Sequence, residues 1–216
     1  MKLKSGQETE INAPGPKVTD EQFQALLTKI RNTTSDDTVI VAGSVPNSIP
    51  SDAYAQIAEI TKDTGAKLVV DAEKDLVETV LPYQPLFIKP NKDELEVMFN
   101  TTVTSDEDVV KYGKEILKMG AQSVIISLGG DGAIYVDKKQ SIKAVNPQGQ
   151  VVNTVGSGDS TVAGMVAGLA SGLSIQDAFK QAVASGTATA FDEDLATRDA
   201  IEKIKSQVTI SVLDGE

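Results

Sequence analysis

The sequence contains no cysteine, no histidine and no tryptophan among its 216 residues. Without cysteine there is no disulfide, no thiol nucleophile and no thiolate zinc site. Without histidine, every catalytic triad that uses an imidazole base is excluded. Any chemistry in this chain must therefore come from carboxylates, lysines, hydroxyl groups and backbone amides.

Positive charge is also scarce, because 20 lysines and arginines face 31 acidic residues and the formal net charge is -11. An acidic chain without basic clusters is a poor ligand for nucleic acid or an anionic membrane surface, so we expect neither as a partner. No apolar run reaches the roughly 18 residues of a membrane span, and the N-terminal region lacks a signal peptide's hydrophobic centre. The sequence therefore predicts a soluble, cytoplasmic protein.

What is present is an alternation of strand-like and helix-like segments from Asp37 to the end. This pattern is typical of one α/β domain with a mostly parallel sheet and helices on both faces. Thr38–Ala42 is predicted to be a buried strand. The sharp turn Gly129–Gly132 predicts an antiparallel hairpin after the apolar strand Val124–Leu128. Further upstream, Met1–Ile11 reads as a small β-hairpin.

The most informative stretch is Asn153–Gly164, NTVGSGDSTVAG, which is predicted to run from a strand exit into a helix. Gly156, Ser157 and Gly158 let the backbone pass close to a bulky anion, and their amides lie at a helix N-terminus that favours negative charge. Asp159 follows in the first turn, where it is placed to act as a base on a nucleophile directed at phosphate. The alternative is an acidic helix cap after a glycine-rich loop.

A second stretch with chemical potential is Lys89–Glu94, KPNKDE, which precedes a short predicted helix. The Lys89 ammonium can reach a phosphate. Asn91 and Glu94 share one helical face, where they suit hydrated Mg²⁺, an ion that takes only one or two carboxylate contacts. The alternative here is a capped helix with a solvated acidic first turn.

A third stretch, Ser127–Gly132 with the sequence SLGGDG, permits close backbone approach to a triphosphate, and the alternative is a tight hairpin turn. It lacks the GxGxxG spacing of a dinucleotide site, and the chain has no Walker A motif. Each of the three loops is predicted to follow an apolar strand. Because parallel strands end at one edge of the sheet, the loops should converge there.

In order and content, KPNKDEL, SLGGDGA and NTVGSGDSTVAG resemble the ATP-dependent sugar kinases of the ribokinase-like superfamily. The segments Gly43–Pro46 and Gln7–Pro16 are similar to the phosphofructokinase-B branch of that superfamily. The resemblance covers essentially the whole chain and implies a three-layer αβα sandwich with a mostly parallel sheet. It also implies ATP and Mg²⁺ as cofactors and a sugar phosphate as the second substrate. Fructose 1-phosphate is the expected acceptor, and kinases of tagatose 6-phosphate are similar in every one of these motifs.

The resemblance also implies roles for individual residues. Asp159 would be the catalytic base, with Gly156, Ser157 and Gly158 forming the hole for charge on the transferred group. Asn91 and Glu94 match an NxxE motif that organises Mg²⁺ through water. The residues implied to approach ATP are Lys89, Ser127, Gly129, Gly130, Asp131, Gly132, Thr154, Val155 and Gly158.

At its start the chain departs from the family's pattern, because the segment that supplies the first core strands and most sugar contacts is not found. We therefore expect residues 1–13 to be the remnant of a β-lid hairpin and residues 14–216 to be the nucleotide-binding and catalytic core. We further expect doubtful activity of the chain on its own, and either a homodimer through the lid or association through a truncated sheet edge. The alternatives are a non-catalytic nucleotide binder and, more remotely, a dehydrogenase-like domain built around Gly129–Gly132.

Overall fold

The structure is a computed structural model and describes residues 2–4, 8–10 and 15–215. At the N-terminus, strands β1 (Lys2–Lys4) and β2 (Glu8–Glu10) pair antiparallel as a separate two-stranded sheet. This pairing agrees with the predicted hairpin, whose Ser5-Gly6 turn lies outside the described residues. The boundary between lid and core stays a prediction.

The central sheet has seven strands that lie side by side in sequence order. The first four are parallel, and the last three continue the sheet antiparallel. The hairpin predicted at Gly129–Gly132 is confirmed, because the three-residue turn Gly129–Asp131 is too short for a crossover helix. The strands are β3 (Thr38–Ala42), β4 (Lys67–Asp71), β5 (Phe87–Ile88), β6 (Ser123–Ser127), β7 (Ala133–Asp137), β8 (Gln140–Val145) and β9 (Thr209–Gly215).

Helices cover both faces of this sheet, as the predicted sandwich requires. They are α1 (Asp20–Arg31), α2 (Ala53–Thr64), α3 (Lys74–Val80), α4 (Lys92–Phe99), α5 (Asp106–Met119), α6 (Ser157–Ala170), α7 (Ile175–Ala190) and α8 (Arg198–Lys205). Because strand side chains alternate between faces, Val70 and Ile88 enter the core beneath α1–α5. Their neighbours Val69 and Phe87 enter the core beneath α6 and α7.

Local sequence explains where several helices begin and how two of them pack. Thr19 and Gln22 form a capping box at the start of α1, a local signal that the sequence TDEQ carries. Helices α6 and α7 approach closely because glycines line their contact: a Cβ added at Gly168 would lie 2.9 Å from the Ala178 Cα.

No helix in the described part of the chain is long and apolar enough to span a membrane.

Two expectations about this sheet are wrong. Strand β3 is half exposed rather than buried, with Ile40 at 45% exposure, because it forms one edge of the sheet. The stretch before α6 is irregular rather than a strand exit. There the amides of Val152 and Asn153 both donate to the carbonyl of Ala190, at the end of α7, instead of joining a strand ladder.

Candidate active site

The three predicted loops meet at one edge of the sheet. The first two are joined by an isolated parallel bridge between Asn91 and Ser127, in which the Ser127 amide donates to the Pro90 carbonyl at 3.1 Å. The third meets the first at Gly158, where an added Cβ would lie 3.3 Å from the Lys89 Nζ. The order of the strands in the sheet therefore brings together segments that are far apart in the sequence. A groove of about 490 Å³ between α5 and β9 contains none of these residues.

Residues Gly156–Asp159, called the anion turn below, open helix α6. Gly156 has φ of +79°, a left-handed conformation that suits glycine, and no side chain caps the helix. The first helical hydrogen bond runs from the Ser160 amide to the Gly156 carbonyl at 2.8 Å. The amides of Gly158 and Asp159 come before that bond, so the helix itself offers them no carbonyl. The Asp159 side chain lies exposed beside them.

Helix α7 holds the anion turn in place through contacts that the sequence did not indicate. The Ser157 hydroxyl donates to the Gly186 carbonyl at 2.8 Å, so Ser157 presents its backbone rather than its side chain to the site. Gly186 makes this approach possible, because an added Cβ would lie 2.9 Å from the Ser157 carbonyl oxygen. One turn further, the hydroxyls of Thr189 and Ser160 are 2.9 Å apart.

Next to the anion turn lies a buried ion pair. The Lys89 Nζ is 3.2 Å from Asp71 Oδ2, and the two side chains are 8% and 17% exposed. Burial raises the pKa of the Asp71 carboxyl, Lys89 opposes that rise by its charge and hydrogen bond, and the charge of Asp159 adds to it. Asp71 ends β4 at this rim, where open α/β sheets bind ligands, and the family resemblance implies no role for it.

Asn91 and Glu94 form a reciprocal cap at the start of α4. The Asn91 Oδ1 accepts from the Glu94 amide and Glu94 Oε2 accepts from the Asn91 amide, both at 2.8 Å. The capped-helix alternative is therefore present in the structure. A hydrated Mg²⁺ still fits, because such an ion needs few direct carboxylate contacts and Glu94 keeps a second oxygen. No group of three or more acidic side chains suited to a metal occurs among the described residues.

The loop Ser127–Gly132 is a tight turn with an open outer side. Its last residue is buried and left-handed, with φ of +93°, whereas nothing lies within 4 Å of a Cβ added at Gly130. Asn146 ties the turn to α7: its Nδ2 donates to the Gly129 carbonyl at 3.1 Å and its Oδ1 accepts from Thr187 at 2.8 Å. Asp131 is exposed on the same turn.

Two apolar side chains flank the anion turn on its solvent side. Val155 is 54% exposed and Leu195 is 62% exposed. They belong to one rim, because a Cβ added at Gly156 would lie 2.8 Å from a Leu195 methyl group. Thr154, half-buried at the start of the turn, accepts from the Ser157 amide at 3.2 Å.

Comparison with known proteins places this site in a family. The profile of the pfkB family carbohydrate kinases matches residues 1–200. The 1-phosphofructokinase of Bacillus subtilis is 41% identical over 99% of this chain and 70% of its own length. The 1-phosphofructokinase of Borreliella burgdorferi is 37% identical over 96% of this chain and 68% of its own length.

Solved structures agree with that placement. The crystal structure of a phosphofructokinase candidate from Staphylococcus aureus has a TM-score of 0.92 and 82% identity, covering 100% of this chain and 70% of that one. Phosphofructokinase-2 from Escherichia coli, in complex with substrates and products, has a TM-score of 0.87 and 28% identity, covering 94% of this chain and 67% of that one. Fold and matches together define a phosphotransferase with an alcohol group as acceptor. The chain belongs to the pfkB family of carbohydrate kinases.

Proposed function

We propose that this chain supports transfer of the γ-phosphoryl group of ATP to the free 6-hydroxyl of fructose 1-phosphate. The observation that carries the proposal is the anion turn, which places Asp159 in the first turn of α6, next in sequence to Gly158, where an added Cβ would lie 3.3 Å from Lys89 Nζ. An acid beside a site built for anions suits a base for a nucleophile that attacks phosphate. The two 1-phosphofructokinase relatives, at 41% and 37% identity, support fructose 1-phosphate as the acceptor.

In the proposed reaction Asp159 accepts the proton of the sugar hydroxyl as that oxygen attacks the γ-phosphorus. The bond between the γ-phosphorus and the bridging oxygen breaks, and ADP leaves with the electron pair. The amides of Gly158 and Asp159 donate to the transferred phosphoryl oxygens, and Lys89 neutralises part of their charge. Mg²⁺, when bound, offsets charge on the phosphates, and Asn91 and Glu94 would orient its water ligands.

The nucleotide is proposed to lie between the anion turn and the loop Ser127–Gly132, called the glycine loop below. The open side of Gly130 allows the backbone to approach the α- and β-phosphates of ATP. Val155 and Leu195 offer apolar surface for its adenine ring. The residues proposed to line the phosphates are Ser127, Gly129, Gly130, Asp131, Gly132 and Thr154.

A second acceptor is favoured by a specific observation. A tagatose-6-phosphate kinase of Staphylococcus epidermidis is 33% identical to this chain, and a kinase named for a different acceptor, the D-tagatose-1-phosphate kinase of Bacillus licheniformis, is 34% identical. Both identities are below those of the fructose 1-phosphate relatives. In a complete version of the protein, coupled assays with fructose 1-phosphate and tagatose 6-phosphate at equal concentrations should show faster turnover of fructose 1-phosphate, and the reverse order would replace the main acceptor.

The role of Asp159 is tested by Asp159→Asn, which removes the base and keeps the shape. In a complete version of the protein that carries the family's sugar contacts, turnover of fructose 1-phosphate should fall about 100-fold or more, as expected for loss of a general base, with Mg-ATP affinity in calorimetry retained. Asp177→Asn is the matched control, because Asp177 is the acidic first-turn residue of α7 and lies outside the site. Turnover of Asp159→Asn within about tenfold of the parent would refute the assignment. Parent binding of Mg-ATP without transfer would favour the non-catalytic alternative.

A self-association surface is proposed at the exposed edge of the sheet. On β3, Ile40 shares a face with Val69, which is fully buried, yet Ile40 is 45% exposed. The tetrameric inhibited form of Escherichia coli phosphofructokinase-2 is known as a structure, so association occurs in a relative. A second copy of this chain is the partner we propose for the β3 edge.

A further inference from the structure

The ion pair of Lys89 and Asp71 lies against the anion turn. A Cβ added at Gly158 would lie 3.3 Å from Lys89 Nζ and 3.8 Å from Asp71 Oδ2. Both charged atoms are thus close to the place where a bound phosphate would contact the turn. Lys89 is part of the proposed nucleotide site, whereas the proposed reaction gives Asp71 no direct role.

The sheet explains why these two side chains meet. Val70 of β4 pairs with Ile88 of β5, so Asp71 and Lys89 occupy the next register position and point to the same face. The backbone on either side is fixed, since the Lys89 amide donates to the Val70 carbonyl at 3.2 Å and the Gly43 amide donates to the Asp71 carbonyl at 3.0 Å. With both backbones held, the carboxylate determines where the buried ammonium lies.

By charge alone Asp71 is unfavourable at this point, because a carboxylate beside an anion site repels phosphate. A buried ammonium without a partner is also unfavourable, and its flexible stem can turn toward solvent. We propose that Asp71 is a positioning residue that holds the Lys89 ammonium against the anion turn, where the lysine contacts phosphate. This inference rests on the proposed function.

The test is a double-mutant cycle read out as Mg-ATP affinity by calorimetry on the full chain. Asp71→Asn and Lys89→Met should each weaken binding about tenfold or more, the scale of a hydrogen bond to a charged group. The double variant should bind no more weakly than Lys89→Met alone, because Asp71 acts through the lysine. Parent-like or tighter binding by Asp71→Asn is what loss of a repulsive charge would produce, and it would overturn the inference. Additive losses in the double variant would overturn it as well.

Controls separate positioning from general destabilisation. Asp106→Asn breaks the part-buried ion pair of Asp106 with Lys143, 2.7 Å long and outside the site, and should leave Mg-ATP affinity at the parent value. Equal weakening by this control would assign the loss at Asp71 to general destabilisation and refute the inference. Asp71→Glu keeps the charge one methylene further out and should bind between the parent and Asp71→Asn.

If Asp71→Asn does not fold, Asp71→Glu carries the test, and parent-like affinity of that variant would refute positioning. If the parent chain binds no Mg-ATP, the proposed function fails and this inference fails with it. If the parent binds Mg-ATP and the Asp71 variants match it, only this inference fails.

Discussion

Gly158 is the residue at which folding and ligand binding make opposite demands. As a helical residue it is a poor choice, since alanine at such a position is favoured by up to about 1 kcal/mol. At the anion turn, however, a methyl group would lie 3.3 Å from the Lys89 ammonium, in the space assigned to phosphate. Under the proposed function, the missing side chain leaves room for phosphate beside Lys89.

Gly158→Ala should leave the free energy of unfolding unchanged or raise it by up to about 1 kcal/mol, while Mg-ATP affinity falls about tenfold or more. Denaturant unfolding and calorimetry measure the two quantities. Ala163→Gly, at an exposed position of the same helix, is the control and should show lower stability with unchanged affinity. Full Mg-ATP affinity in Gly158→Ala would mean that phosphate does not bind at the anion turn.

At the scale of single residues, a short motif is enough to identify a candidate site residue when the residues it acts with are close to it in the sequence. Asp159 and Lys89 each stand in a short motif, and both were predicted. Asp71 could not be assigned to Lys89 without the pairing of β4 with β5, which depends on the whole sheet. Asn146 bonds to Thr187 across 41 residues, and no local signal marks that contact.

At the scale of elements, the approach of α6 to α7 determines where the anion turn lies. Gly186 faces the start of α6, and Gly168 faces the same helix pair near the other end of α6. Both glycines permit close packing, but only Gly186 lies under the site. Comparing substitutions at the two glycines therefore distinguishes an effect on helix packing from an effect on the position of the anion turn.

Gly186→Ala should lower stability by about 1–3 kcal/mol through overpacking and also weaken Mg-ATP binding, because the new Cβ would clash with Thr161 Oγ1 and lie 2.9 Å from the Ser157 carbonyl oxygen. Gly168→Ala should lower stability by a similar amount with unchanged affinity, since its Cβ would meet Ala178 instead. Thermal unfolding and calorimetry on both variants provide the comparison. Equal nucleotide affinities in the two variants would contradict a placing role for Gly186.

Helix starts were predictable because capping is local, as Thr19 with Gln22 shows. The exposure of β3 could not be predicted, because a short strand with four apolar residues out of five looks the same at the centre of a sheet and at its edge. The irregular path before α6 escaped prediction for a related reason. Val152 and Asn153 resemble the end of a strand, yet their amides bond to the end of α7.

For the whole molecule, an exposed sheet edge and a large negative charge act against each other. Among the described residues strand β3 has no strand on its outer side, and it carries the exposed apolar Ile40; both features favour pairing with another chain. The net charge of -11 opposes contact between copies, and salt screens that repulsion. Association should therefore increase with salt concentration.

Ile40→Lys should reduce concentration-dependent association in sedimentation velocity, because a lysine on an edge strand blocks pairing. Val97→Lys adds the same charge on α4, at a position that is 65% exposed and away from the edge, and should associate as the parent does. Identical sedimentation of Ile40→Lys and the parent at high salt would exclude the β3 edge as the surface of contact.

The contacts of α7 have a mechanical consequence for how a ligand enters. Through Gly186 the helix carries the anion turn, and through Thr187 and Asn146 it carries the glycine loop. Two loops that are hydrogen-bonded to the same helix cannot easily move apart from each other. We therefore expect the anion turn and the glycine loop to keep their relative position when a ligand enters.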